Sequence, residues 1–214
     1  MPELDSPFHI NMLHRIKQKG QVERFGGIYG MNWGDPQKDD TEHNRRMRFM
    51  RDKFLLPYVH PDFTCVEIGP GGGRWTRYLM TCLTLYCLDY YQELLDELAA
   101  NFRAPGLHLI RNNGTDFPGV PDQCCDFLFS YGVFVHLELP TIDAYLQNMR
   151  RILKSGAPVV LHYADKTKEA GRATKGFSEN DPARMRELVL RNGYTITEED
   201  MDTLPHSSVV RFSL

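Results

Sequence analysis

The chain has 214 residues, of which 42% are hydrophobic and 25% charged, and its formal net charge is −3. This length suits one substantial α/β domain, and the slightly negative charge disfavours a nucleic-acid binder that acts through bulk electrostatics. The longest apolar runs are far shorter than the roughly 20 residues that span a bilayer, so we expect no membrane association.

The pattern of cysteines and the first five residues together predict the cellular compartment of the protein. The cysteines are odd in number and include no Cys-x-x-Cys pair, which favours buried thiols in a reducing compartment over a disulfide framework or a zinc site. Segment 1–5 has no basic region followed by an apolar core, so we expect no secretory signal. Both features favour a cytoplasmic protein. The five cysteines are Cys65, Cys82, Cys87, Cys124 and Cys125.

Residues 1–60 are predicted to form a helical or irregular cap that belongs to the same domain as residues 61–214. Turn-forming glycines are frequent in the first part of this cap, and the aromatic residues Tyr29 and Trp33 are interleaved with them. Over residues 41–58 apolar side chains recur at helical spacing, which predicts a helix.

Strand and helix patterns alternate over the next hundred residues. Helices of ordinary length between short strands indicate βαβ units and a mostly parallel sheet with right-handed crossovers. The predicted strands cover 63–68, 83–88, 107–111, 126–130 and 158–163, and the predicted helices cover 74–83, 92–102 and 141–153.

The C-terminal part departs from this alternation. A helix is predicted over 182–191, capped near Ser178 or Asp181, and two strand-like runs follow over 194–198 and 208–212 with no helix between them. Adjacent strands with a short link form a hairpin, so one of them should be antiparallel to the rest. The predicted fold is therefore α/β, with a doubly wound, mostly parallel seven-stranded sheet and an antiparallel C-terminal strand.

The most informative stretch follows the first predicted strand and reads Glu67-Ile68-Gly69-Pro70-Gly71-Gly72-Gly73. A glycine turn between a strand and a helix lets the backbone approach a nucleotide, because glycine has no Cβ. The first two glycines fit the dinucleotide fingerprint, but Arg74 occupies its third position. Asp89 ends the next strand. At this spacing a carboxylate can accept hydrogen bonds from both hydroxyls of a ribose.

This run resembles the first motif of class I S-adenosylmethionine-dependent methyltransferases, which is an acid, any residue, then Gly-x-Gly-x-Gly. The resemblance covers roughly residues 63–214. It implies a Rossmann-like methyltransferase fold, with S-adenosylmethionine as cofactor and S-adenosylhomocysteine as product. A cofactor with cationic groups tolerates an acid near the turn, although that acid could instead hydrogen-bond the loop. The implied cofactor-binding residues are Glu67, Gly69, Gly71, Gly73, Asp89, Tyr90, Asp116, Phe117 and Ser130. Of these, Asp116 and the backbone N–H of Phe117 fall where that family usually holds the adenine.

The molecule that would accept the methyl group is less well defined by the sequence than the cofactor is. Relatives that methylate amino nitrogens of nucleic-acid bases usually carry Asn or Asp, Pro, Pro and an aromatic residue after the fourth strand, and residues 130–137 do not, so we expect no nucleic-acid substrate. Transfer to a hydroxyl needs a base, and His136 and His162 are the candidate catalytic residues because histidine titrates near neutrality. Each could instead hydrogen-bond the backbone or shape the pocket.

Residues 29–36 resemble a segment of bacterial methyltransferases that act on sugars or polysaccharides. Its two large aromatic side chains could stack on a sugar ring or pin the cap to the domain. No metal is expected, because only Asp165 supplies a carboxylate close after the fifth strand. The predicted substrate contacts are Tyr29, Trp33, Tyr131 and Tyr163.

The leading prediction is an S-adenosylmethionine-dependent methyltransferase that acts on a hydroxyl of a small molecule or saccharide, as a monomer or homodimer. Two alternatives stay open. The missing third glycine and the C-terminal hairpin disfavour an NAD-dependent oxidoreductase. The two histidines near the expected pocket disfavour a non-catalytic S-adenosylmethionine-binding protein.

Overall fold

The computed structural model describes residues 33–214, and its first regular element is helix α1, Glu42–Phe54. The side chain of Thr41 caps the helix by accepting a hydrogen bond from a backbone N–H of the first turn at 3.1 Å. A short 3₁₀ helix, Leu56–Tyr58, follows. The helix predicted over 41–58 is confirmed in its main part.

The next elements build one sheet from seven strands of the described chain. They are β1, Thr64–Ile68; β2, Thr84–Asp89; β3, Leu107–Arg111; β4, Phe127–Ser130; β5, Val159–Ala164; β6, Thr195–Asp200; and β7, Ser207–Ser213. Their order is β3-β2-β1-β4-β5-β7-β6; β7 is antiparallel to both of its neighbours, β5 and β6, and the other neighbouring pairs are parallel. The predicted doubly wound sheet with an antiparallel C-terminal strand is confirmed.

Helices cover both faces of the sheet. They are α2, Thr76–Leu79; α3, Gln92–Asn101; α4, Leu139–Ile152; α5, Glu169–Ala173; and α6, Pro182–Arg191. Successive strand residues point to opposite faces, so Val66 packs in the cluster with α4 and α6, whereas Cys65 packs in the cluster with α1 and α2. Two apolar cores therefore enclose the sheet, and ligands have access at the ends of the strands.

The helix predicted over 74–83 is shorter in the structure, because α2 has only four residues. Gly73 precedes it with a left-handed φ of +99°, which no helix residue adopts. After α2, the backbone amides of residues 83 and 84 donate to the carbonyl of Phe63 at 3.0 and 3.2 Å. The start of β2 thus draws the chain onto the sheet before the helix can continue.

Helix α5 lies where the sequence pattern predicts no element. A Cβ at Gly171, within α5, would lie 2.0 Å from the carbonyl oxygen of Asp165, so this helix packs backbone against backbone on the loop after β5. Of the two predicted caps for α6, Asp181 is the observed one, and its carboxylate accepts from the backbone N–H of Arg184 at 2.9 Å.

The buried cysteines and helix α1 pack within the two apolar cores of the sheet. All five cysteines are free, with three of them fully buried and two partly buried. Helix α1 places Met47, Met50 and Phe54 in the same apolar cluster as strand residues. The division of the chain at residue 60 stays a prediction. Within residues 33–214, none of the helices has both the length and the apolar character needed to cross a bilayer.

Candidate functional site

Three glycines shape the turn that follows β1. Gly69, Gly71 and Gly73 have φ values of +69°, +55° and +99°, which residues with a Cβ rarely adopt. A Cβ at Gly69 would also lie 2.0 Å from Cγ2 of Val133, in the loop after β4. The turn therefore presents bare backbone at the carboxyl ends of the central strands, where ligands bind in open α/β sheets.

Replacement of Gly73 by alanine is expected to destabilise the protein by about 2–4 kcal/mol, because it adds a steric clash to backbone strain. The new Cβ would lie 2.1 Å from Cε2 of Phe102 and 2.9 Å from Cδ1 of Leu98. Gly156→Ala is the matched control, since its φ is also left-handed, at +74°, yet no atom of the described chain lies within 4 Å of its Cβ. We expect Gly156→Ala to lower the free energy of unfolding by only about 1 kcal/mol. Urea denaturation measures both losses, and equal losses would contradict the assigned clash.

Glu67, near the end of β1, is almost fully buried. Its Oε2 accepts a hydrogen bond from Oγ1 of Thr76 at 2.6 Å, and the thiol of Cys87 lies 3.7 Å from the same oxygen. Burial raises the pKa of Glu67 to about 7. The carboxyl is thus tied to α2 and β2, and a nearby cation would favour its ionised form.

Asp89 ends β2 beside the glycine turn. Its carboxylate accepts from the backbone N–H of Tyr91 at 2.9 Å, and the backbone of Tyr90 and Gly71 also favours its ionised form. Burial nevertheless raises the pKa of Asp89 to about 7. The ring of Tyr90 is partly exposed and stands edge-on to Tyr91, with centroids 5.2 Å apart. The structure therefore brings together the acid and the glycine turn that the sequence spacing paired.

The loop after β3 carries the expected adenine contacts. One carboxylate oxygen of Asp116 accepts from the backbone N–H of Asn113 at 2.8 Å, and the side chain of Phe117 is buried against Tyr145. The predicted contact of Phe117 is through its backbone N–H, so a buried ring is compatible with it. Sequence reasoning missed Asn112, whose amide donates to the hydroxyl of Tyr145 at 3.0 Å and to the carbonyl of Asp116 at 3.2 Å. Asn112 holds this loop against α4.

Two predicted contact residues lie inside the fold. The hydroxyl of Ser130 is fully buried and donates to the carbonyl of Ile68 at 2.9 Å, so this side chain ties β4 to β1, and a contact of Ser130 with the cofactor stays a prediction. Tyr163 is also fully buried, in the apolar cluster with α4 and α6. Strand alternation sends it to the face opposite His162, which corrects the expectation that its side chain contacts the substrate.

Tyr131 and Arg74 form an aromatic and cationic layer beside the turn. The ring of Tyr131 stacks on His162, with centroids 4.0 Å apart, and the Arg74 guanidinium lies 5.3 Å from the Tyr131 centroid. Arg74 is buried, which lowers its pKa, and it donates to the carbonyls of Trp33 at 2.7 Å and Gly34 at 3.3 Å. The residue that breaks the dinucleotide fingerprint therefore anchors the cap. Trp33 is 42% exposed, and Tyr29 lies outside the described residues.

His162 has partners for both ring nitrogens. Its Nδ1 accepts from the backbone N–H of Gly132 at 3.1 Å, and its Nε2 lies 2.6 Å from the hydroxyl oxygen of Ser207. Burial, together with nearby cationic groups, holds the pKa of His162 well below its usual value. This arrangement fits the hydrogen-bonding role that the sequence left open and leaves no ring nitrogen for a substrate proton. Ser207 and its neighbour His206 are residues that sequence reasoning missed.

His136 lies in the loop after β4 and is partly exposed. Its Nδ1 is 2.8 Å from the carbonyl oxygen of Gly176, and its ring meets Phe177 edge-on with centroids 5.3 Å apart. A carbonyl oxygen only accepts, so Nδ1 carries a proton. The other nitrogen, Nε2, then holds the lone pair of the neutral ring.

Asp165, the one carboxylate considered for a metal, is occupied by protein groups. It accepts from the backbone N–H of Thr167 at 3.0 Å and from the hydroxyl of Ser208 at 2.7 Å, and the ammonium of Lys168 lies 3.7 Å away. Its role in the structure is to join the loop after β5 to β7. Across residues 33–214, three or more His, Cys, Asp or Glu side chains do not gather in a way that could hold a metal ion.

Known proteins share this fold. A methyltransferase-domain family model matches residues 66–161. S-adenosylmethionine-dependent methyltransferases of known structure from Mesorhizobium loti, Aquifex aeolicus and Clostridium acetobutylicum are 15%, 14% and 12% identical to this chain, with TM-scores of 0.65, 0.63 and 0.65. The alignments cover 82%, 91% and 82% of this chain and 99%, 98% and 93% of those chains. No protein of curated function matches the sequence.

The site agrees with the cofactor of that family. Bare backbone at Gly69, Gly71 and Gly73 leaves room for close approach, and the two buried carboxyls of Glu67 and Asp89 suit a ligand with cationic groups and a ribose. A pyrophosphate, by contrast, would meet two acids near the turn. Residues 66–161 match the methyltransferase-domain family model, and the site fits S-adenosylmethionine, the cofactor that the resemblance of the glycine turn implies.

Proposed function

We propose that this enzyme methylates a hydroxyl group of a small molecule or saccharide and that His136 removes the hydroxyl proton. The observation that carries the proposal is the 2.8 Å contact between Nδ1 of His136 and the carbonyl oxygen of Gly176. It fixes the tautomer whose basic nitrogen is Nε2, and a base must present a lone pair to the proton that it takes.

Two loops hold the His136 ring in place. The backbone N–H of His136 donates to the carbonyl of Val133 at 2.9 Å, and the backbone N–H of Ser178 donates to the carbonyl of Val135 at 2.8 Å. The first bond closes a turn after β4, and the second ties that turn to the loop before α6. Such cross-ties reduce the rotation of the imidazole and favour a defined geometry for proton transfer.

The residues that would hold the cofactor come from the ends of β1, β2 and β3. We assign the glycine turn and Glu67 to the amino-acid end of the ligand, Asp89 with Tyr90 to the ribose, and Asp116 with the Phe117 amide to the adenine. S-adenosylmethionine supplies an electrophilic methyl group on its sulfonium. The role of the chain is to align the acceptor hydroxyl with that methyl and to take the proton.

The acceptor is proposed to lie between the cap and the carboxyl ends of β4 and β5. Trp33 and Tyr131 offer aromatic surface there, and a sugar ring packs well against such a surface. The contact of Tyr29 stays a prediction, as do the cytoplasmic location, the monomeric or homodimeric state and the absence of a nucleic-acid partner.

Binding and transfer assays together test this function. Calorimetric titration should show binding of S-adenosylhomocysteine and none of NADH, and the reverse result would favour the oxidoreductase alternative. A panel of monosaccharides, hydroxy acids and phenols with isotopically labelled S-adenosylmethionine should yield a methylated oxygen. Binding without transfer to any member would favour a non-catalytic protein, and a methylated nitrogen would overturn the assignment to hydroxyl groups.

A further inference from the structure

Three consecutive hydrogen bonds link the loop after β4, strand β5 and the start of β7. The backbone N–H of Gly132 lies 3.1 Å from Nδ1 of His162, and Nε2 of His162 lies 2.6 Å from Oγ of Ser207. The same hydroxyl oxygen lies 2.8 Å from Nδ1 of His206. Antiparallel pairing of β5 with β7, with Ala164 opposite Ser207, brings these residues together. The chain of bonds ends at a histidine to which the methyl transfer assigns no role.

The direction of the three bonds is determined from one end. A backbone N–H only donates, so Nδ1 of His162 accepts, and the neutral ring must carry its hydrogen on Nε2. That hydrogen is donated to Ser207, whose own hydroxyl hydrogen is then available for Nδ1 of His206. With Nδ1 accepting, neutral His206 carries its hydrogen on Nε2. If Nδ1 instead donated to Oγ, the buried Ser207 hydroxyl would lose this acceptor for its own hydrogen, so the bonds favour the Nε2–H tautomer of His206.

His206 and His136 flank the same aromatic ring. Each imidazole centroid lies 5.3 Å from the centroid of Phe177, and both rings stand edge-on to it, at 87° and 77°. All three side chains are partly exposed. The hydrogen bonds favour opposite tautomers of the two histidines, with Nε2 as the lone-pair nitrogen in His136 and the N–H nitrogen in His206. The ring of His136 can accept a proton at Nε2, and the ring of His206 can donate a hydrogen bond from Nε2.

The groups that face His206 favour its neutral form. Its neighbours are His43 and Arg46 from α1, Lys168 from the segment before α5, and the neutral ring of His162. Partial burial, which is the largest cause, and the positive charges of Lys168 and Arg46 lower the pKa of His206. The Lys168 ammonium itself donates to the carbonyls of Leu204 at 2.8 Å and Ser207 at 2.7 Å, which holds the loop that carries His206.

We propose that His206, polarised through Gly132, His162 and Ser207, is a positioning residue that donates a hydrogen bond from Nε2 to the methyl acceptor. This inference rests on the proposed function, because it uses His136 as the base. It narrows the acceptor class to molecules with two oxygen functions, namely the hydroxyl that loses its proton to His136 and a second oxygen that accepts from His206. Hydroxy acids and vicinal diols have this pattern, whereas an isolated hydroxyl on a hydrocarbon does not.

Nitrogen-15 spectra of the histidine rings in the full-length protein, saturated with S-adenosylhomocysteine near neutral pH, test the bond directions without a known acceptor. We expect His162 and His206 as Nε2–H tautomers and His136 as the Nδ1–H tautomer. In Ser207→Ala, His206 should lose its single tautomer and give averaged ring shifts. Ser208→Ala is the matched control, since Ser208 is an equally buried hydroxyl on β7 that bonds Asp165 and no histidine.

Lactate and propan-2-ol are the probes for the acceptor class, because they share a hydroxyl and differ by one carboxylate. Lactate should shift the Nε2 resonance of His206 in the wild type and in Ser208→Ala, but not in Ser207→Ala, and propan-2-ol should leave it unchanged. An Nδ1–H tautomer at His206, or the same response of His206 to both probes, would overturn the inference. Failure to bind S-adenosylhomocysteine would instead overturn the proposed function, so the two failures are distinguishable.

Discussion

Replacement of His136 by alanine is expected to lower kcat about 10²–10⁴-fold, the usual contribution of a positioned general base. The affinity for S-adenosylhomocysteine should change by less than about threefold, because the assigned cofactor residues lie on β1, β2 and β3 and their loops. Isothermal titration with S-adenosylhomocysteine and initial rates with the acceptor found by screening measure the two effects. A loss of rate with intact cofactor binding is the signature of a group that acts on the acceptor.

The pH dependence separates a base from a merely structural histidine. In the wild type, kcat should fall at acid pH as the lone pair at Nε2 of His136 is protonated, and this acid limb should be absent from His136→Ala. His60→Ala is the control, because His60 is an exposed residue before β1, at the opposite ends of the parallel strands from the site. Full activity in His136→Ala, or an unchanged acid limb in its residual rate, would show that another group removes the proton.

Replacement of Glu67 by glutamine is expected to stabilise the cofactor-free protein by about 3 kcal/mol near pH 8 and to have little effect near pH 5. Burial favours the neutral carboxyl, so the folded protein keeps this proton up to about pH 7, whereas the unfolded chain releases it near the ordinary value of 4.5. The stability from this group is therefore complete below that ordinary value, is lost as the pH rises through about 7, and stays lost above it. Glutamine stays neutral throughout, and its amide oxygen can still accept from Thr76.

Thermal unfolding of Glu67→Gln and wild type at both pH values measures this difference. The exposed Glu93→Gln is the control, because solvent screens an exposed carboxylate. The same variant should bind S-adenosylmethionine more weakly near pH 8, since the ionised carboxylate favours the cationic cofactor. A stability gain of equal size at both pH values would contradict the role of burial, and unchanged cofactor affinity would contradict the electrostatic role of Glu67.

The fold was largely predictable because periodicity and turn residues act locally. Alternating strand and helix patterns predicted seven strands, and the missing helix between the last two predicted the antiparallel β7. The errors occur where distant contacts override local preference. Helix α2 ends early because β2 pairs with the chain beside Phe63, and α5 forms against the backbone of Asp165. Neither partner is adjacent in sequence.

The candidate site divides in the same way. The cofactor half follows β1 and β2 directly, so the glycine turn and Asp89 could be predicted from their positions after strands. The acceptor half is assembled from loops after β4 and β5 and from the link before β7, and no short pattern marks Ser207 or His206 as its members. Tyr163 looked accessible from its place near a strand end, and only the register of β5 shows that it points into the core.

By itself, the sequence determined the class of fold and the nucleotide turn with its two acids, because those depend on residue type and short spacing, and its resemblance to a known family implied the kind of cofactor. Tertiary structure alone decided which ring nitrogen of His136 and of His162 carries the hydrogen in the neutral side chain. His136 meets a carbonyl, which must accept, whereas His162 meets an amide, which must donate. In each histidine one hydrogen-bond partner thus decides which ring nitrogen carries the hydrogen, and the two histidines differ in the result. Only the packing of loops distant in sequence brings those partners to the rings.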